Sequence, residues 1–110
     1  MPLLEKARIE VYLPDVDKAA YIGLVDRLAS EFTYSFGGST VLRGLEGNYL
    51  SHLGSVMVDS INLVYTDAPF QFDANFQTLS EYADYLRKAA FGVLEEEAIL
   101  VVVYPVYHSR

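Results

Sequence analysis

The sequence predicts an α+β domain whose six elements follow one another as strand, helix, strand, strand, helix, strand. Two observations predict this order. Residues 40–66 are typical of two strands joined by a tight turn at Gly54, and one strand and helix precede them while one helix and strand follow. Such an order is typical of a two-layer βαββαβ sandwich with a four-stranded antiparallel sheet in the order 4-1-3-2. We expect a single domain over residues 1–110, a length near the commonest domain size.

The first strand and helix are marked by a change in hydrophobic period. Residues 7–13 alternate apolar and polar side chains, as a strand with one apolar side does, and Pro14 lacks the N–H that a ladder needs. Apolar residues then recur at helical spacing, and Asp15 and Asp17 are the candidate N-caps. We expect this helix to end before Gly37-Gly38, which can adopt the positive φ of a C-cap.

The later elements carry boundary signals of their own. We expect strands at about residues 40–50 and 56–66, where β-branched and aromatic residues concentrate. Thr78 and Glu81 have the spacing of a capping box and predict the start of the second helix. Gly92 is its expected end.

Several glycines fall within the predicted elements. Gly23 lies inside the first helix, which predicts that another backbone packs closely against it. Gly44 and Gly47 interrupt the second strand and predict a bulge or a close approach. Gly37-Gly38 could bind an anion through free amides, but no lysine follows and the segment opens a strand. A helix C-cap is therefore the favoured interpretation.

The last strand, residues 98–107, predicts self-association. The 4-1-3-2 order places it at an edge of the sheet, where Pro105 is tolerated. Its residues are apolar on both sides, whereas a strand that is buried on one side only should alternate. Its outer side therefore requires a cover, and we expect a homodimer or a higher homo-oligomer.

Composition excludes several classes of function. Fifteen acidic and eight basic residues give a net charge of −7, which disfavours binding to nucleic acid or to anionic membranes. The absence of cysteine excludes disulfides and thiolate metal sites. Neither a signal-peptide pattern nor a membrane-length apolar run occurs, so we expect a soluble cytoplasmic protein.

No cofactor or metal motif stands out. His52 and His108 are the only imidazoles and are far apart in sequence, so we expect no tight metal site. A weak site completed by carboxylates across an oligomer interface stays open. Glu95-Glu96-Glu97 could help hold a cation, but a solvated turn is the favoured interpretation.

Asp59 is the carboxylate most suggestive of chemistry. It shares strand parity with Met57 and Ile61, so it is predicted on the side that faces the helices, where burial would make it a candidate base. Arg43 on the second strand is its candidate partner, with Arg8 on the first strand as the alternative. A solvated residue at the start of the strand is the other interpretation, and it is favoured.

A polar strip is predicted on the other side of the sheet. Arg8, Glu10 and Tyr12 should converge there with polar residues of the third strand, namely Ser60, Asn62 and Thr66. Polar groups among apolar ones are typical of a small-molecule pocket. The same groups would suit an interface between two sheets, which is the favoured interpretation. The candidate ligand-binding residues are Arg8, Glu10, Tyr12, Arg43, Asp59, Asn62 and Tyr104.

The whole chain resembles the ferredoxin-like superfamily. The resemblance is carried by the element order and by Phe36-Gly37-Gly38-Ser39-Thr40 and Gly44-Leu45-Glu46-Gly47, a layout similar to short bacterial proteins with a Gly-Gly-x-Thr turn. The superfamily includes dimeric α+β-barrel enzymes and regulatory modules such as ACT and PII-like domains. The arginine loop of acylphosphatases and the second-helix histidine of haem-degrading monooxygenases are absent, so no catalytic residue is carried over.

We therefore expect a small self-associating domain that binds a small molecule or a partner protein through the open face of its sheet. The alternative is a cofactor-independent enzyme, an isomerase or a monooxygenase-like protein, with a pocket around Asp59 and Arg43. A purely structural interaction module is the remaining interpretation.

Overall fold

The computed structural model, which describes residues 3–94 and 99–109, has the predicted element order. Its elements are β1 (Leu4–Pro14), α1 (Ala19–Phe36), β2 (Thr40–Leu50), β3 (Val56–Ala68), α2 (Phe76–Leu94) and β4 (Leu100–His108). The strands form one antiparallel sheet in the order β2-β3-β1-β4, which is the predicted order counted from the opposite edge. Pro105 lies on the edge strand β4, as expected.

The hydrophobic core lies between one side of the sheet and the two helices. Its buried side chains on β1 and α1 alternate along the strand and recur at helical spacing along the helix: Ala7, Ile9, Val11, Leu13, Leu24, Val25, Leu28 and Phe32. Burial of each large side chain contributes about 1.5–3 kcal/mol. Both helices lie on this side, so no element of the described residues covers the other side of the sheet, which we call the open face.

The two ends of α1 compare differently with the prediction. Gly37 is the C-cap with φ 95°, and its N–H donates to the carbonyl of Thr33 at 2.9 Å, which confirms the predicted end. Lys18 occupies the N-cap position and makes no side-chain cap, so the predicted capping by Asp15 or Asp17 is wrong. Asp15 instead accepts a hydrogen bond from the hydroxyl of Ser60 at 2.8 Å.

The predicted capping box is also wrong. Helix α2 begins two residues before Thr78, and the carbonyl of Asn75 accepts its first hydrogen bond. The carboxylate of Glu81 accepts from the side-chain amide of Gln77 at 3.0 Å, one turn back along the helix. The residues that match the pattern already lie inside the helix.

Helix α2 continues past Gly92 to Leu94, so the predicted end is two residues early. The acidic turn predicted at Glu95-Glu96-Glu97 and the predicted strand start at Ala98 lie outside the described residues. Within the described ranges, neither helix combines the length and the apolar character that crossing a bilayer requires.

A bulge in β2 confirms the prediction made from Gly44. The pairing with β3 shifts between Leu42 and Leu45, and Gly44 has φ 67°, a conformation that favours glycine. Its N–H donates to Oδ1 of Asn62 at 3.0 Å. The bulge is therefore held in place by a side chain of the neighbouring strand.

Replacing Gly23 should stabilise the fold. A Cβ built at Gly23 would have no heavy atom within 4 Å, so the predicted close packing is wrong. We expect Gly23→Ala to raise the free energy of unfolding by about 0.5–1 kcal/mol in chemical denaturation, because alanine loses less entropy in a helix. Gly37→Ala is the matched control: its site is equally open, but its positive φ should make the variant about 1 kcal/mol less stable. Equal stabilisation by both changes would contradict this account.

Candidate functional site on the open face

The pairing of β1 with its two neighbours decides which side chains share the open face, because directly opposite residues point to the same side of a sheet. Arg8, Glu10 and Tyr12 of β1 point to this side. Their partners are Asp67, Tyr65 and Leu63 on β3 and Tyr104, Val102 and Leu100 on β4. The structure thus brings together four of the seven candidate residues: Arg8, Glu10, Tyr12 and Tyr104.

Glu10 is a buried carboxylate on the open face, with only 7% of the residue exposed. The hydroxyl of Tyr104 donates to its Oε2 at 2.6 Å, and the hydroxyl of Tyr12 donates to its Oε1 at 2.9 Å. These hydrogen bonds to Glu10 raise the pKa of both phenols above the ordinary value of 10. Two donors from two strands therefore replace much of the water that Glu10 loses.

Arg8 forms the other half of the site. Its Nε and Nη2 donate to Oδ1 and Oδ2 of Asp67 at 2.7 and 2.9 Å, which is a bidentate ion pair. Its Cζ lies 4.4 Å from the centre of the Tyr65 ring, within the range of a cation–π contact. The hydrogen bonds to Asp67 raise the pKa of the Arg8 guanidinium further, so this cation is permanent.

We call these side chains the open-face cluster: Arg8, Glu10, Tyr12, Tyr65, Asp67 and Tyr104. Apolar side chains of the same face surround it, namely Leu42, Leu45, Ile61, Leu63, Leu100 and Val102. Each carboxylate of the cluster accepts hydrogen bonds at both of its oxygens. The arrangement is suited to being covered by another surface, since all four carboxylate oxygens already have hydrogen-bond donors.

Asp59 and Arg43 do not form the predicted pocket. Asp59 is exposed and lies opposite Gly47 on the open side of the β2–β3 hairpin, so the prediction that it faces the helices is wrong, whereas the favoured interpretation of a solvated residue agrees with its exposure. Nη2 of Arg43 lies 3.7 Å from Oδ1 of Asp26, an exposed residue of α1 on the helical side of the sheet. The two candidates therefore lie on opposite sides of the sheet.

The polar residues of β3 also lie on the side opposite to the prediction. Asn62 is opposite Leu13, on the helical side, where its Nδ2 donates to Oδ1 of Asp15 at 3.3 Å. The hydroxyl of Thr66 donates to the carbonyl of Gly38 at 2.7 Å. Ser60, Asn62 and Thr66 hold loops and the bulge in place and do not converge with Arg8 and Glu10.

Sequence reasoning missed Tyr65 and Asp67. The sequence pattern places Asp67 at the start of a loop, whereas β3 continues to Ala68. The signal that could have identified both residues is their parity with Leu63, combined with the β1–β3 register. That register does not follow from the sequence alone.

A polar depression of about 350 Å³ opens at one margin of the open face. Its lining comes from the α1–β2 turn and the ends of the central strands: Lys6, Phe36, Gly37, Gly38, Ser39, Thr40, Tyr65, Thr66 and Asp67. Among the described residues, no group of three or more His, Asp or Glu side chains is placed to hold a metal ion.

No protein-family model and no curated protein matches this sequence. Solved structures do match it in shape. For CutA1 from Oryza sativa the identity is 18%, the match covers 98% of this chain and 85% of that one, and the TM-score is 0.61. For the divalent cation tolerance protein CutA1 from Thermus thermophilus these values are 13%, 97%, 88% and 0.59.

A third solved structure is CPII from Thiomonas intermedia, a PII-like protein described as bound to ADP, AMP and acetate. It is 18% identical, the match covers 100% of this chain and 94% of that one, and the TM-score is 0.56. At such identities the likeness concerns the fold alone. The ferredoxin-like α+β fold is confirmed.

Replacing Glu10 should change both stability and its dependence on pH. Glu10→Gln keeps the shape but removes the charged acceptor, so we expect the free energy of unfolding at neutral pH to fall by about 1–2 kcal/mol. The raised phenol pKa values of Tyr12 and Tyr104 make a stabilising contribution that is complete below pH 10 and is lost as pH rises through the folded-state pKa. Denaturation between about pH 8 and 12 should therefore show a smaller alkaline loss of stability in Glu10→Gln.

Glu46→Gln is the matched control, because Glu46 is an exposed carboxylate of the same sheet. We expect it to leave both quantities nearly unchanged. Identical pH profiles for the wild type and Glu10→Gln would show that the Glu10 hydrogen bonds do not form in solution.

Proposed function

We propose that the chain is a small self-associating regulatory domain, in which copies assemble through the open face and the assembled protein binds a small molecule or a partner protein. The observation that carries the proposal is the open-face cluster, in which Arg8 is ion-paired with Asp67 and both oxygens of Glu10 accept hydrogen bonds. Covering this cluster leaves none of its carboxylate oxygens without a hydrogen-bond donor, and unsatisfied groups of that kind are a large cost of burying polar surface. Burial of the apolar side chains around the cluster supplies the favourable free energy of association.

The size of the open face supports the same proposal. Four strands about 4.8 Å apart and about nine residues long span roughly 600 Å² in projection. The side chains that stand out of the sheet add to this projected area and bring the accessible area close to the roughly 800 Å² that each partner buries in a stable complex. We propose a homodimer or a higher homo-oligomer in the cytoplasm.

The depression beside Gly37-Gly38 is the candidate small-molecule site. The hydroxyl of Thr66 fixes the turn through the carbonyl of Gly38, and Lys6 supplies a cation at the rim. The depression borders the open face, so a second copy placed there would help to enclose it. CPII is described as bound to ADP and AMP, and these two nucleotides are therefore the first probes for this chain.

Self-association can be tested directly by light scattering. At micromolar concentration we expect a mass that is a multiple of the 12.3 kDa chain. Val102→Lys should weaken assembly at least roughly 100-fold, because a lysine on β4 would place an unpaired ammonium in the covered face. Ile22→Lys, on the exposed surface of α1, is the control and should assemble as the wild type does. A monomer mass for the wild type would overturn the proposal.

Nucleotide binding can be tested by calorimetry with ADP and AMP. We expect Lys6→Ala to weaken binding about tenfold, because one charge-assisted contact to phosphate is worth roughly 1.5 kcal/mol. Lys88→Ala removes the same charge from α2, away from the depression, and should leave affinity unchanged. Equal losses in both variants would indicate a general charge effect. No heat with either nucleotide would exclude ADP and AMP as ligands while leaving the assembly untouched.

A further inference from the structure

A groove of about 270 Å³ lies between α1 and α2 and is lined by residues of these two helices. Its floor is apolar and consists of side chains that belong to the core: Leu24, Leu28, Leu86 and Ala90. Its walls are exposed residues, namely Arg27 and Glu31 of α1 and Tyr85 and Ala89 of α2. The volume lies just below the range typical of pockets for drug-sized ligands, so the groove suits a smaller molecule.

The α1 wall of the groove carries two opposite charges that are not paired with each other. Arg27 and Glu31 are one helical turn apart, but no ion pair joins them. Arginine before glutamate along a helix is the less favourable order for such a pair. Nε of Arg27 instead donates to the carbonyl of Gly23 at 3.4 Å, one turn back. The guanidinium therefore keeps its Nη donors for a ligand.

The carboxylate of Glu31 is held beside the groove from the other helix. The hydroxyl of Tyr82 on α2 donates to its Oε1 at 3.1 Å, and the hydroxyl of Ser35 donates to the same oxygen at 3.3 Å. Burial and the hydrogen bond to Glu31 raise the pKa of Tyr82 above the ordinary value of 10, so this donor stays protonated at neutral pH. The ring of Tyr82 also stacks on that of Tyr85, with their centres 6.1 Å apart. One end of the groove is thus preformed, and among the described residues the hydrogen bonds of Glu31 leave Oε2 for a ligand.

We infer that the groove binds a small zwitterion with an apolar side chain, of the class of free apolar α-amino acids. The carboxylate of the ligand binds the guanidinium of Arg27, its ammonium group binds Oε2 of Glu31, and its side chain lies on the apolar floor.

The pair of opposite charges above an apolar floor is the feature that selects this ligand. A simple anion would meet Glu31 as well as Arg27, and a simple cation would meet Arg27 as well as Glu31. An uncharged apolar molecule would remove water from both charges without replacing it. A zwitterion supplies a partner to each charge. The groove lies between the helices, so the inference does not depend on the open face or on the depression beside Gly37-Gly38.

Calorimetric titration with L-leucine and two blocked analogues tests the inference. N-acetyl-L-leucine lacks the ammonium group, and L-leucinamide lacks the carboxylate. We expect L-leucine to bind saturably and each analogue to bind at least about tenfold more weakly, because each lacks one charge-assisted contact. Absence of saturable L-leucine binding at millimolar concentration would overturn the inference.

Two variants assign each charge of the ligand to its residue. Arg27→Gln should weaken L-leucine about tenfold and leave L-leucinamide unchanged, because L-leucinamide has no carboxylate to lose a partner. Glu31→Gln should weaken L-leucine to the same extent and leave N-acetyl-L-leucine unchanged. Glutamine still accepts the hydrogen bond from Tyr82, so the groove keeps its shape. Equal losses for all three ligands in either variant would overturn the assigned contacts.

Two further variants locate the site. Ala89→Leu should abolish binding by filling the groove, and the fold should tolerate it because Ala89 is exposed. Arg87→Gln removes a cation of α2 that does not line the groove, and it should bind L-leucine as the wild type does. Unchanged binding by Ala89→Leu, or a loss in Arg87→Gln equal to that in Arg27→Gln, would place the ligand elsewhere and overturn the inference. None of these outcomes bears on the open-face assembly, which light scattering measures separately.

Discussion

The antiparallel register between β1 and β3 is the constraint on which the rest of the structure depends. It places Val11 opposite Val64 on the helical side and Arg8 opposite Asp67 on the open face. A shift by one residue would exchange the two sides of β3, so that Val64 would leave the core and Asp67 would enter it. The core and the open-face cluster are therefore fixed together, by the same set of hydrogen bonds.

The burial of Glu10 determines whether the open face is better suited to contact with an apolar surface or with a charged ligand. An ionised carboxylate without donors in a largely apolar environment would cost several kcal/mol. Tyr12 lies two residues away on the same strand and Tyr104 on the neighbouring strand, and both donate to Glu10. The bidentate Arg8–Asp67 pair satisfies the second carboxylate in the same way. The two carboxylates of the cluster therefore keep their hydrogen bonds when the cluster loses water, which favours contact with another apolar surface over capture of a charged ligand.

Local signals in the sequence predicted most of the fold. The strand expected at residues 40–50 and the helix end before Gly37 agree with the structure, because turns and C-caps depend on a few neighbouring residues. The predicted start of α2 is wrong because the capping-box spacing of Thr78 and Glu81 can also occur inside a helix. The sequence alone does not distinguish the two positions. Asn75, three residues earlier, holds the position instead.

The site is harder to predict, because it depends on which side of β3 faces the helices. Ile61 and Leu63 alternate on one side and Val64 and Ala68 on the other, so β3 is apolar on both sides and its period alone cannot choose between them. The sequence therefore identified Arg8, Glu10 and Tyr12 on β1, where the alternation is clear. The sequence misplaced Asp59, because the side of the sheet that Asp59 faces depends on how β3 pairs with β1 and β2.

The distribution of charge links the site to assembly. The open face carries two cations, Lys6 and Arg8, and three anions, Glu10, Asp59 and Asp67, so its net charge is −1, while the residues that the structure describes carry −5 in total. Most of the acidic surplus therefore lies away from the surface that we propose to be covered. Two open faces can approach with little direct repulsion, and the repulsion between more distant charges is screened beyond about 8–10 Å at physiological salt. Acidity and the proposed self-association are thus compatible in this chain, because most of the described acidic surplus lies away from the open face.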